Sequence, residues 1–166
     1  MCKKALELVE GLPDNWRTMG FPMDPNVGES EDFYAHPGIT VRLTRNLDKD
    51  RGFVNGAIGV VKRILHYDEG RPIVFTVRLA TGTMVLVHPI WQKKRLFLPC
   101  TYGYATTIRQ AQGATLTHGC TWFNHCYEPE RGYGYVAACR FRTKSGIYLY
   151  GAIRATDWLP VGGKEP

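Results

Sequence analysis

Between residues 38 and 88, short apolar stretches alternate with tight turns, and this pattern constrains the fold most strongly. Apolar and polar residues alternate over residues 39–44, which is the period of a half-buried strand because successive side chains point to opposite faces. Three further apolar runs, separated by turn residues, occupy residues 58–65, 73–79 and 83–88. Four or five short strands within about 60 residues predict a small β-barrel.

A different pattern follows the basic cluster at residues 93–95. Helical spacing relates four residues: Tyr104, Thr107, Ile108 and Ala111. Gly113 is placed to end that helix. Beyond it we expect a strand at residues 120–123, a helix at 135–141 and a strand at 147–150. Alternating strands and helices are typical of α/β domains, so we expect a barrel joined to part of an α/β domain.

Charge is distributed unevenly along the chain. Of a net charge of +6, the first 37 residues carry −4, which leaves +10 on residues 38–166. A helical candidate at residues 4–10 is stopped by Gly11 and Pro13, and a stretch rich in Pro, Gly and acidic residues follows, which predicts an irregular arm or linker. The basic remainder favours a polyanionic partner such as nucleic acid. The alternative is a basic surface without a specific partner.

Composition excludes several protein classes. No apolar run approaches the roughly 18 to 20 residues that a membrane span needs, and the start lacks the apolar segment of a signal peptide. The five cysteines are irregularly spaced, without a C-x-x-C pair, which argues against a disulfide framework and fits a reducing compartment. We therefore expect an intracellular protein with no membrane partner. The nucleus, the mitochondrion and the bacterial cytoplasm are not distinguished.

Two blocks combine cationic or polar side chains with small residues: TTIRQAQGATL at residues 106–116 and YVAACRFR at 135–142. Small residues allow a close approach of backbone, whereas an arginine stays protonated and presents a planar fork that suits phosphate oxygens. An arginine held near a helix end can neutralise the charge that develops in phosphoryl transfer. The alternative is that Arg140 and Arg142 are solvated helix residues.

These two blocks resemble motifs V and VI of superfamily 1 DNA helicases, in the 5′-to-3′ group that contains the PIF and RecD-like helicases. Motif V reads approximately T-[IV]-H-K-[SA]-Q-G-x-T, and residues 107–115 read T-I-R-Q-A-Q-G-A-T. Motif VI reads approximately Y-V-A-L-[ST]-R-[VA]-R, and residues 135–142 read Y-V-A-A-C-R-F-R. A third block, LTRN at 43–46 with GFVNGAIGV at 52–60, is similar to a segment of an SH3-like barrel in these helicases. Three blocks in the family's order are more specific than one.

The resemblance implies an α/β fold, namely a partial RecA-like motor domain with an inserted small SH3-like β-barrel. It divides the chain into an acidic irregular arm or linker at residues 1–37, the SH3-like insert at 38–98 and the C-terminal part of the second RecA-like motor domain at 99–166.

Site residues are implied by the same resemblance. Arg140 would act as an arginine finger toward the nucleotide γ-phosphate, with Gln112 and Gly113 beside the nucleotide. Thr107 and Arg109 would face single-stranded DNA. Arg109 stands where the family usually has His, so it would contact a backbone phosphate rather than stack on a base.

The sequence contains no G-x-x-x-x-G-K-[ST] phosphate loop and no acidic pair after an apolar strand to hold Mg²⁺. In the family both lie in the first motor domain. The resemblance therefore implies the C-terminal region of an ATP-dependent helicase that is inactive as an ATPase alone. ATP and Mg²⁺ belong to the intact enzyme, and no cofactor is expected for this chain alone. Its partners would be single-stranded DNA and the N-terminal RecA-like motor domain of the same protein.

Two alternatives and two weaker signals remain. The alternatives are a stand-alone basic nucleic-acid-binding module without motor activity and a protein-interaction domain built on the barrel. Lys93, Lys94 and Arg95 lie near Trp91, and basic plus aromatic residues bind single strands by charge and stacking, so we predict DNA contacts there. A solvated charge run, with Trp91 filling an interface, is the other interpretation. One His and Cys cluster matches no familiar zinc spacing, so no metal site is expected: His118, Cys120, His125 and Cys126.

Overall fold

The structure, a computed structural model, describes residue 6 and residues 8–27, 32–108, 111, 115–123 and 132–159. The chain divides into two compact units, Met1–Ala105 and Thr106–Pro166. Among the described residues, no helix is long and apolar enough to cross a membrane.

Short strands dominate the described part of the first unit. They are β1 (Phe21–Pro22), β2 (Asp32–Phe33), β3 (Thr40–Leu43), β4 (Ile58–Asp68), β5 (Arg71–Leu79), β6 (Met84–Val87), β7 (Ile90–Gln92), β8 (Arg95–Phe97) and β9 (Cys100–Tyr102). Five of them form a sheet in the order β6-β5-β4-β3-β9, in which every neighbouring pair is antiparallel. The other four form two antiparallel pairs, β1 with β2 and β7 with β8.

The strands predicted from alternation are confirmed. In β3, Val41 and Leu43 are buried while Thr40 and Arg42 are half-buried. β4 and β5 are longer than predicted because a turn of only two residues, Glu69-Gly70, connects them. The φ angles of these residues are 48° and 79°, the left-handed values that a type I′ hairpin turn needs at both central positions. The residues on either side of the turn are therefore free to join the strands.

β6 and β9 lie at the two edges of the five-stranded sheet, and no described strand pairs them with each other. The closed SH3-like barrel therefore stays a prediction, as do the domain boundaries at residues 37 and 98.

The core of the first unit takes side chains from the N-terminal segment as well as from the sheet. The ring of Phe33, in β2, is fully buried, with its centroid 5.8 Å from that of Phe75 and 4.7 Å from that of Tyr102. The Tyr102 hydroxyl accepts a hydrogen bond of 3.0 Å from the backbone N–H of Tyr34. Other buried residues of this segment are Leu6, Trp16, Phe21 and Met23. The segment predicted as an arm thus packs onto the sheet, because burying aromatic and aliphatic surface is favourable wherever it lies in the chain.

The described part of the second unit contains a strand, a helix and a parallel strand: β10 (Gly119–Phe123), α1 (Tyr133–Ala138) and β11 (Ile147–Gly151). β10 and β11 pair in parallel along their whole length. Parallel neighbours need a crossover connection between them, and α1 lies in that connection. These elements confirm both predicted strands and the helix between them.

Two helix predictions are wrong in part within the described residues. The helix predicted at 135–141 ends at Ala138, because the backbone of Arg140 and Arg142 pairs with Leu116 instead. Residues 104–108 are not helical, since Tyr104 follows the sheet and its hydroxyl accepts a 3.0 Å hydrogen bond from the Thr40 N–H. The helical candidate at 4–10 falls largely outside the described residues.

Candidate functional site

The two blocks singled out in the sequence meet at Leu116. Its backbone N–H donates a hydrogen bond of 2.7 Å to the carbonyl oxygen of Arg140, and its carbonyl oxygen accepts one of 3.0 Å from the N–H of Arg142. The two bonds make a parallel β-bridge between Leu116 and Phe141. Backbone hydrogen bonds thus fix the end of the first block against the end of the second.

The side chain of Arg140 is held at the C-terminal end of α1. Its Nε donates a hydrogen bond of 3.1 Å to the carbonyl oxygen of Val136, and the side chain is half-buried. A cation is favourable there because the last carbonyls of a helix carry partial negative charge. Among the described carboxylates, none forms an ion pair with Arg140. The guanidinium is therefore anchored at one nitrogen and can present its other donors to an anion in a fixed orientation.

Glycines allow the segments beside the bridge to approach closely. A Cβ added at Gly146 would lie 1.9 Å from the carbonyl oxygen of Thr117, and one at Gly119 would lie 3.0 Å from the ring of Phe141. The first distance is impossible for any side chain, so Gly146 is required where the chain returns to β11 past the end of the first block. Gly146 and Gly119 are thus two further small residues that matter at this site, and sequence reasoning missed both.

The other predicted residues of the first block are only partly described. Thr107 is exposed, and its carbonyl oxygen accepts a hydrogen bond of 3.0 Å from the N–H of Ala111. Arg109, Gln112 and Gly113 lie outside the described residues. Their predicted roles toward DNA and nucleotide stay predictions.

The basic cluster forms the tip of the β7–β8 hairpin. Lys93 and Lys94 are the two turn residues, with φ angles of 50° and 62°, and Arg95 is the first residue of β8. All three side chains are exposed, as is Trp91 on β7. The cluster belongs to the first unit and the Arg140 site to the second.

A buried ion pair joins the N-terminal segment to the third block. The Asp24 carboxylate, only 1% exposed, accepts hydrogen bonds from Arg45 Nε at 2.6 Å and Nη2 at 2.7 Å, and from Thr44 Oγ1 at 2.8 Å. Burial raises the pKa of Asp24. This is outweighed by a lowering of the pKa from the hydrogen bonds of Arg45, the Asn26 backbone and Thr44 and from the charge of Arg45, so the pKa of Asp24 lies below its usual value. Sequence reasoning missed this pair. No local pattern indicates it, because Asp24 and Arg45 are 21 positions apart in the chain.

Cysteine and histidine form no described metal centre. Within the described ranges, no group of three or more His, Cys, Asp or Glu side chains could hold a metal ion, and His125 and Cys126 fall outside those ranges. Burial, with the charge of Asp24, raises the pKa of Cys100 far above neutral pH, so that thiol is unreactive. A side-chain hydrogen bond with Cys139 raises the pKa of Tyr135 on α1.

Comparison with known proteins gives consistent matches to one kind of protein. No protein-family profile matches the chain. The chain is 35% identical over 119 residues to the ATP-dependent DNA helicase PIF1 of Danio rerio. This match covers 66% of this chain and 18% of that protein. It is 33% identical over 125 residues to the ATP-dependent DNA helicase Pif1 of Bdellovibrio bacteriovorus, and this match covers 69% of this chain and 26% of that protein. The chain thus spans about a quarter or less of the length of these relatives.

Among solved structures, the fold is similar to that of a Pif1 helicase from Bacteroides in complex with ADP-AlF3 and single-stranded DNA. The TM-score is 0.65 with 21% identity, and the match covers 95% of this chain and 39% of that one. At this identity the similarity shows the fold.

Proposed function

We propose that this chain, which contains a PIF1-like helicase C-terminal region, supplies the arginine finger and single-stranded DNA contacts to a composite ATP-dependent DNA helicase. It would form part of the second RecA-like motor domain, with an inserted SH3-like barrel. ATP would bind between this domain and the N-terminal RecA-like motor domain of the same protein. The matched proteins are named ATP-dependent DNA helicases, and the Bacteroides relative is described with ADP-AlF3 and single-stranded DNA, which supports these ligands.

The bridge between Leu116 and Phe141, in which the Leu116 N–H bonds to the Arg140 carbonyl oxygen, carries this proposal. An arginine finger neutralises charge on the transferred phosphoryl group, and a misplacement of about 1 Å can cost about a hundredfold in rate. Arg140 has its backbone bonded to Leu116 and its Nε bonded to Val136, so both ends of the residue are constrained. A rigid arginine at the end of a helix suits this role better than it suits a solvated charge.

The same bridge would transmit backbone movement between the DNA contacts and the nucleotide contacts. In this proposal Thr107 and Arg109 contact the strand, Gln112 and Gly113 contact the nucleotide, and the block that contains all four ends at Leu116. A shift of that block would move the backbone of Arg140 through the two hydrogen bonds. Closure of the ATP cleft onto Arg140 and its reopening after hydrolysis would then be linked to stepping along the strand.

Mg²⁺ would neutralise charge between the β- and γ-phosphates of bound ATP. The sequence contains no G-x-x-x-x-G-K-[ST] phosphate loop. We therefore propose that Mg²⁺ binding and the phosphate loop belong to the N-terminal motor domain, and we expect no ATP hydrolysis by this chain alone.

A chimera tests the proposal, with this chain replacing the matching region of the Bdellovibrio bacteriovorus helicase. The chain alone should bind single-stranded DNA without hydrolysing ATP, whereas the chimera should hydrolyse ATP when the strand is added. Arg140→Ala in the chimera should lower that rate about a thousandfold or more while leaving most DNA binding. Turnover close to that of the parent chimera would overturn the role of Arg140.

A second candidate function is a stand-alone nucleic-acid-binding module. It is favoured by the net charge of +10 on residues 38–166 and by the exposed cations Lys93, Lys94 and Arg95, which lie in a different unit from Arg140. It predicts full DNA affinity for the chain alone together with a folded chimera that shows no DNA-stimulated ATP hydrolysis.

A further inference from the structure

The turn of the β7–β8 hairpin holds two lysines in a conformation that ordinary residues avoid. Lys93 and Lys94 both have positive φ, as a type I′ turn requires, but such turns favour Asn-Gly because L-residues with a Cβ are strained there. Strained backbone persists where its surroundings fix it and often marks a functional site. The chain thus keeps two cations where a neutral pair would fold more easily.

The hairpin displays an aromatic ring beside these cations. Trp91 lies directly opposite Leu96 across the two strands, and their side chains are 71% and 44% exposed. Cross-strand partners share one face of a ribbon, so the indole and the isobutyl group form an exposed apolar face next to the turn. No acidic residue occurs at positions 88–97, so the tip carries three uncompensated positive charges within its own sequence.

The root of the hairpin is fixed to the rest of the first unit. Phe97, opposite Ile90, is 2% exposed, and the guanidinium of Arg45 lies over its ring at 5.3 Å. Arg45 is in turn bound to the buried Asp24 through two hydrogen bonds. The backbone continues this attachment, since the N–H of Leu98 donates a bond of 2.9 Å to the carbonyl oxygen of Pro22. The tip is therefore displayed from a rigid base.

We infer that the β7–β8 hairpin is a contact selective for single-stranded nucleic acid, in which Trp91 stacks on an unpaired base while Lys93 and Lys94 neutralise adjacent phosphates. This inference rests on the proposed single-strand binding and assigns it a place and a selectivity. Stacking needs a base whose face is uncovered, which a duplex does not offer, whereas phosphate contacts serve both forms.

Fluorescence anisotropy with the whole chain tests this. The probes are a labelled oligothymidylate of about twenty nucleotides, which exceeds the span of one small module, and a blunt-ended DNA duplex of the same length without a loop. Trp91→Ala should weaken binding to the single strand about fivefold or more and leave duplex binding unchanged. Leu96→Ala is the matched control on the same face and should change single-strand binding less than twofold, since it offers no ring to stack.

The turn offers a second variant in which folding and binding should move in opposite directions. Lys93→Asn with Lys94→Gly gives the turn its preferred residues, so the melting temperature should not fall. The same change should weaken binding to both DNA forms and lower the slope of log K against log salt by about 1.4 for the single strand. Lys49→Asn with Lys62→Asn removes equal charge from exposed positions of the same unit, and should lower the slope less.

The outcomes separate this inference from the proposed function. If the chain does not bind the single strand even at low salt, both are overturned. If it binds, but the Trp91 and turn variants bind as well as the parent, the hairpin is not the contact and the proposed function stands. Equal losses for single strand and duplex in Trp91→Ala would overturn the selectivity.

Discussion

Leu116 and Arg140, 24 positions apart in the chain, are joined by a backbone hydrogen bond of 2.7 Å from the N–H of Leu116 to the carbonyl oxygen of Arg140. The N–H of Arg142 returns a bond of 3.0 Å to Leu116, so the pairing is a bridge rather than a single contact. The blocks at residues 106–116 and 135–142 therefore meet at this bridge.

Leu116→Pro should disrupt this bridge because proline has no N–H to donate. We expect the free energy of unfolding to fall by about 1 to 3 kcal/mol, the cost of a lost hydrogen bond and an unsatisfied carbonyl group. Urea denaturation measures this, and hydrogen exchange at the Arg142 N–H should become faster. Leu116→Val keeps the N–H and is the control. A proline variant as stable as Leu116→Val would contradict the bridge.

Asp24→Asn should destabilise the first unit. It removes the negative charge that Arg45 binds and leaves a largely buried guanidinium without its anion, since the Arg45 side chain is 23% exposed. The expected loss is about 2 to 4 kcal/mol in the free energy of unfolding. Asp14→Asn, at an exposed position of the same segment, should change stability by less than about 0.5 kcal/mol. Equal stability of the two variants would show that the pair contributes little.

Acid should remove the contribution of Asp24. Its pKa in the folded chain lies below the usual 3.8, so its stabilisation is complete above that value and is lost as the pH falls through the folded pKa. The difference in unfolding free energy between the parent chain and Asp24→Asn should therefore be constant from pH 7 to 5 and shrink below pH 3.8. A difference that grew on acidification would have the wrong sign for a carboxylate with a lowered pKa.

Gly146→Ala should destabilise the second unit, because the new methyl group would lie 1.9 Å from the Thr117 carbonyl oxygen and the backbone would have to move. Overpacking against backbone of this kind costs about 2 kcal/mol or more. Ser145→Ala, at the exposed neighbouring position, should cost less than about 0.5 kcal/mol. Thermal unfolding of the two variants measures the contrast, and similar melting temperatures would argue against the close approach.

The sequence predicted what depends on local pattern. Alternation of Val41 and Leu43 with polar neighbours identified β3 because burial on one face of a strand imposes a period of two. The strand, helix and strand of the second unit were found for the same kind of reason. The hydrogen bonds that end α1 at Ala138 were not visible, because they depend on Leu116, which is distant in sequence.

The remaining features depend on contacts that composition does not reveal. A Pro- and acid-rich segment gave no sign that Asp24 would be buried against Arg45, or that Phe33 would pack against Phe75. The adjacent Lys93 and Lys94 give no indication of a tight turn in the sequence, since a Lys-Lys pair is not a preferred type I′ turn. Motif comparison supplied the predicted roles of Arg140 and Thr107, which the fold by itself does not assign.

The most direct test of the central claim is the rate of ATP hydrolysis, stimulated by single-stranded DNA, of the chimeric helicase that carries this region. Arg140→Lys keeps the charge but loses the planar fork, and should lower that rate about a hundredfold or more. Arg142→Lys, at an exposed position two residues away, is the control. It keeps the positive charge and should leave the rate of ATP hydrolysis within about twofold of the parent. Equal rates for the Arg140→Lys chimera and its parent would contradict the proposed arginine finger.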